Sequence, residues 1–99
     1  MQIAFVKAGE IDAYLRRGAQ FIDLRSEEDY REKHIRGAIS MPYEKFENAY
    51  KTLPKGRTYV LYCERGATSM LAAKKMSAAG YDVWSLSGGM EAAKHQIGM

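Results

Sequence analysis

The sequence predicts a single α/β domain over residues 1–99, with a mainly parallel sheet of four to five strands and helices on both faces. Three observations lead there. Short β-branched or aromatic runs alternate with segments of helical periodicity, the pattern of βαβ units. The run Thr58-Tyr59-Val60-Leu61-Tyr62 carries no charge, as a central strand covered on both faces requires. The chain's 99 residues make one domain, long enough to bury about two-thirds of its unfolded surface without disulfide or metal staples.

The elements follow in order. Glu10 to Arg17 sets Ile11, Tyr14 and Leu15 on one apolar helical face, and Gly18 stands where a C-terminal cap belongs. Phe21 to Leu24 reads as a short strand. Ser26 and Asp29 have capping-box spacing, with Glu27 and Glu28 in the first turn where the helix dipole favours acids, so a short helix runs to about Lys33. Ala38-Ile39-Ser40 reads as another strand. Tyr43 to Lys51 forms a helix with Tyr43, Phe46 and Tyr50 on one face, expected like Tyr14 to be core, and Pro54 with the Lys55-Gly56 turn closes it. After the strand at Thr58, Gly66 to Ala79 reads as a helix capped by Gly80. Asp82 to Leu86 is a strand, Gly88-Gly89 a turn, and Met90 to Ile97 a terminal helix.

Composition narrows the function. Lys and Arg number 15 against 12 Asp and Glu, a net charge of +3, and 46% of residues are hydrophobic, so the chain is neither strongly basic nor disordered. The densest charged stretch, Arg25 to Arg36, holds four positive and four negative side chains, which argues against a nucleic-acid face. No apolar run exceeds five residues, and Ile3 to Val6 is too short for a signal-peptide core. Neither a membrane segment nor an export signal is expected. The single cysteine, Cys63, excludes an internal disulfide and fits a cytoplasmic location. One cysteine and two histidines, His34 and His95, make a poor zinc set, so no metal is expected.

The chemistry is expected beyond the carboxyl end of the strongest strand, where parallel sheets bind ligands. Cys63-Glu64-Arg65-Gly66-Ala67-Thr68-Ser69 joins that strand to a helix, with Gly66 allowing a tight turn. A cysteine there meets backbone N–H groups and the positive end of a helix, which favour the nucleophilic thiolate. The alternative is a small buried hydrophobe closing an apolar strand, and position alone leaves both open.

Four motifs in order decide further. Asp23-Leu24-Arg25 with Tyr30, His34 to Ile39 followed by Pro42, the run Tyr59 to Thr68, and Gly80-Tyr81 with Leu86-Ser87-Gly88-Gly89 together resemble the rhodanese-like domain over nearly the whole chain. The resemblance implies a sulfurtransferase. Cys63 attacks the outer sulfur of a donor such as thiosulfate, carries it as a persulfide, and passes it to a thiophilic acceptor, cyanide or a thiol. Backbone N–H groups from Glu64 to Ser69 are expected to cradle the persulfide with no cofactor. Arg65 stands where thiosulfate-using relatives tend to carry a basic residue, matched to the donor's sulfonate. Thr68 is expected to cap the following helix. Asp23 and Arg25 are expected to form a structural pair, and His34 to bond backbone near its turn.

Several features depart from that pattern. Glu64 sets an acid beside the nucleophile, where it would repel an anionic donor unless it points outward. Asp29 stands where some two-domain relatives carry an Arg near the anion, and no Trp follows Gly88-Gly89, the only one being Trp84. Among rivals, a cysteine phosphatase or arsenate reductase wants an Arg six residues after the cysteine, and Ser69 occupies that place. Two further readings stay open: a persulfide carrier served by a sulfur-relay protein, and a non-catalytic module that binds a partner.

Overall fold

In the computed structural model, which describes residues 4–94, five parallel strands form one sheet in the order β1-β5-β4-β2-β3. The strands are β1 (Ala4–Val6), β2 (Gln20–Asp23), β3 (Ile39–Ser40), β4 (Thr58–Tyr62) and β5 (Asp82–Leu86). The helices are α1 (Ile11–Arg16), α2 (Glu27–Glu32), α3 (Tyr43–Ala49), α4 (Ala67–Ala78) and α5 (Gly89–Ala93), with 3-10 turns at Ala8–Glu10 and Tyr50–Thr52.

The uncharged run is the central strand, β4. Its side chains alternate across the sheet. Tyr59, Leu61 and Cys63 face one way and pack with Phe46 and Tyr50 of the α3 region and Ala72, Ala73 and Met76 of α4. Val60 and Tyr62 face the other way, onto Ile11 of α1, Ile35, and Met90 and Ala93 of α5. Both faces are therefore covered, and burial of each large apolar side chain contributes about 1.5–3 kcal/mol.

Local signals account for most boundaries. Ser26 Oγ accepts the Asp29 N–H at 3.1 Å and starts α2, and the extended backbone of Lys33 ends it. Three differences from the sequence-based expectation stand out. The short edge strand β1, whose apolar run Ile3 to Val6 is too brief to single out a strand, is fixed by its pairing with β5, Ala4 to Val6 against Trp84 to Leu86. The α3 helix stops at Ala49 and tightens into a 3-10 turn. Tyr43, expected in the core, is 37% exposed, because Pro42 starts α3 and puts Tyr43 in its first position, on the rim above Phe46. Of the predicted terminal helix, Gly89–Ala93 is helical, while His95 and Ile97 lie outside the described residues. Among the described residues no helix is long and apolar enough to cross a membrane.

Candidate active site

Cys63 follows the last residue of β4 and is 7% exposed. The chain then turns through Gly66, whose φ of +107° is left-handed backbone that a side chain would strain, and enters α4 at Ala67. This turn folds the loop back over the sulfur. The Gly66 N–H donates to Sγ at 3.1 Å and the Ser69 N–H at 3.3 Å. Ser69 lies in the first turn of α4, where backbone N–H groups have no partner inside the helix. No side chain caps α4, and the Cys63 sulfur receives one of those donors instead. Both contacts strengthen when the sulfur is anionic, since charge-assisted hydrogen bonds are the stronger kind.

The other side of the loop is fixed by the turn after β5. The N–H groups of Met90 and Glu91 donate to the carbonyls of Cys63 and Glu64 at 2.8 and 2.9 Å. Gly89, with φ of +59°, lets the two backbones approach so closely that a Cβ there would run into the Cys63 carbonyl and lie 2.7 Å from the Glu64 backbone. With its carbonyls drawn toward α5, the loop turns N–H groups toward the sulfur.

The remaining loop residues divide sharply. Arg65 is exposed and, among the described residues, has no hydrogen bond or ion pair. Glu64 is also exposed and reaches Arg25, with Oε1 3.5 Å from Nη1. Ala67 opens α4. Thr68 was expected to cap α4, and it does not: the helix starts two residues earlier than a Thr68 cap would allow, with Gly66 at the cap position. The hydroxyl at work is that of Ser69, which donates to the Gly66 carbonyl at 3.1 Å and lies 2.8 Å from Ser85 Oγ.

Asp23 and Arg25 form the expected pair. Asp23 is fully buried and accepts the Arg25 backbone N–H, Nη2 and Nε at 2.9, 2.9 and 3.1 Å. Burial by itself would lower the Arg25 pKa, but the hydrogen bonds and charge of Asp23 carry it above its ordinary value. Burial, helped by the Asp23 charge, also raises the pKa of Tyr62, whose hydroxyl accepts the Ile35 N–H at 3.1 Å. His34 belongs to the same scaffold: Nδ1 lies 2.7 Å from the Tyr30 carbonyl and the ring stacks on Tyr30. A cleft of about 340 Å³ opens beside Arg25, lined also by Leu24, Ser26, Pro42, Tyr43 and Glu44.

Two participants were missed in the sequence: Ser85, and the reach of Arg25 to Glu64. A signal existed for the first. Ser85 is a polar residue inside the strand Asp82–Leu86, between Trp84 and Leu86, and it is fully buried. A buried hydroxyl needs a partner.

Comparisons with known proteins bear on the family and the fold. Residues 7–96 match the rhodanese-like domain family. A rhodanese homologue from the extreme thermophile Thermus thermophilus is 32% identical, with a TM-score of 0.76, over 91% of this chain and 100% of that one. A rhodanese-related protein from Thermoplasma volcanium has a TM-score of 0.87 at 18% identity over 94% of this chain and 92% of its own, which speaks to the fold alone. Among curated relatives, the tRNA sulfurtransferase of Desulfurococcus amylolyticus is 36% identical over 79% of this chain. That of Photorhabdus laumondii is 42% identical over 62% of it. The chain spans only 15% and 14% of those two proteins.

Proposed function

The chain belongs to the rhodanese-like domain family, and on that premise we propose that it is a sulfurtransferase in which Cys63 takes up a sulfane sulfur as a persulfide and hands it on. The observation that carries this reading is the pair of backbone N–H groups, from Gly66 and Ser69, directed at Sγ. With thiosulfate as donor, the thiolate attacks the outer sulfur, a new S–S bond forms, and the old one breaks with its electron pair leaving on sulfite. A cyanide or thiolate acceptor then attacks the outer sulfur of the persulfide. The Cys63 thiolate leaves, and the N–H groups that held it are again in place. The same donors serve both anions, so neither step needs a metal or an organic cofactor. Residues 64 to 69 form the cradle, and Arg65, exposed and without a partner among the described residues, is the side chain suited to an anionic donor.

A second reading has its own support. The Glu64 carboxylate pairs with Arg25, so that this guanidinium, held also by Asp23, is not free for a dianion, which favours a thiol persulfide, including one delivered by another protein. The matched relatives act by name on tRNA, and this chain corresponds to a small part of them. A sulfur-handling module that serves other proteins fits that relation.

The test is the intact mass of the protein and of Cys63→Ser after incubation with thiosulfate or with a small thiol persulfide. Gain of one sulfur atom by the wild type alone, reversed by cyanide, is the expected result. Loading by the thiol persulfide but not by thiosulfate selects the carrier reading. Failure to load with either, or equal loading of Cys63→Ser, overturns the assignment. In turnover with thiosulfate, Arg65→Ala is expected to raise KM several-fold with little change in kcat, as loss of ground-state binding does.

A further inference from the structure

The Cys63 cradle is anchored from outside its own loop. Ser69 Oγ lies 3.1 Å from the Gly66 carbonyl, which only accepts, so the single Ser69 hydroxyl proton points there. Either oxygen of the 2.8 Å contact between Ser69 Oγ and Ser85 Oγ could donate; with the Ser69 proton on the Gly66 carbonyl, the donor is Ser85. Both serines are fully buried. Ser85 sits on β5 in register with Leu61 of β4, two residues before Cys63. The chain of bonds thus runs from the sheet through Ser69 to Gly66. Those two residues are the ones whose N–H groups hold Sγ.

We propose that Ser85 is a positioning residue for the reactive thiol: its hydroxyl fixes Ser69, and through Ser69 the Gly66 turn, so that both N–H groups stay aimed at the sulfur. The proposal rests on Cys63 as the reacting group. Without the Ser85 donor, the Ser69 oxygen is left buried with an unmet lone pair, and the link from sheet to cradle is cut. The contribution is to orientation of the donors that stabilise the thiolate, with Ser85 itself never touching sulfur.

The experiment is the rate of Cys63 alkylation by iodoacetamide as a function of pH, which needs no sulfur donor and therefore stands or falls separately from the sulfur-transfer reading. Ser85→Ala removes the hydroxyl without added bulk; Ser85→Thr and Ser85→Val add nearly the same bulk with and without it. The expected result is that Ala and Val move the half-maximal pH upward and slow neutral-pH alkylation roughly tenfold, as loss of one buried hydrogen bond does. The rate plateau at high pH is unchanged, and Thr stays close to wild type. A wild-type pH profile for Ser85→Ala overturns the proposal. So does coincidence of the Thr and Val profiles, since bulk and not the hydroxyl would then be what counts.

Discussion

Two turns in this molecule are built alike and used differently. The β4–α4 turn and the β5–α5 turn each leave a parallel strand, pass through a left-handed glycine, and enter a helix that no side chain caps. In the second turn the first free N–H groups of α5 bond the Cys63 and Glu64 carbonyls. In the first turn the N–H groups of Gly66 and Ser69 meet a sulfur. One set of helix-end donors is consumed by backbone and the other is turned to the Cys63 sulfur. The difference teaches that the second turn acts as a brace for the first, and that the Gly88-Gly89 pair belongs to the site although it lies far along the chain from the cysteine.

Substitutions at the glycines test this. The largest effect is expected from Gly89→Ala, where a Cβ meets the backbone of Cys63 and Glu64: about 3 kcal/mol of stability, read by denaturant unfolding, and at least a hundredfold loss of sulfur loading. Loading at the wild-type rate would show that the brace is not needed. Gly66→Ala comes next. Its Cβ would stand 3.3 Å from Gly88 N with φ of +107°, costing about 1–3 kcal/mol with a matching upward move in the pH of Cys63 alkylation. Gly18→Ala is the reference. It shares a left-handed φ, +87°, but faces open space, so about 1–2 kcal/mol of backbone strain with unchanged Cys63 reactivity is expected. A change of reactivity at Gly18 would mean that strain anywhere reaches the site, and the contrast between the turns would fail.

The parts legible in the sequence are those governed by near neighbours. Val60 and Leu61 announced a buried strand, Ser26 the start of α2, and Gly66 the tight turn after Cys63, because each acts through residues close by in the chain. What escaped depends on distant partners. Ala4 to Val6 is three residues long and takes its place as a strand by pairing with β5. Thr68 lost the capping role to a geometry in which Gly66 occupies the cap and the sulfur takes the helix donor. Arg25 and Glu64 meet across 39 positions, and Ser69 and Ser85 across 16. Composition and periodicity report which residues want burial or pairing; they do not say with whom.

Cys63 is held at both ends, its carbonyl by Met90 and its sulfur by Gly66 and Ser69. On the proposed sulfur-transfer reading, a cargo atom loaded there is moored. It has no long flexible arm on which to swing from a loading berth to a discharge berth, and at 7% exposure little of the residue projects into solvent. All travel therefore falls to the visitors: donor and acceptor must each come alongside the same fixed point, one after the other. That reading predicts that slender nucleophiles are served faster than bulky ones, and that a large recipient presents its own accepting atom on a protruding tip.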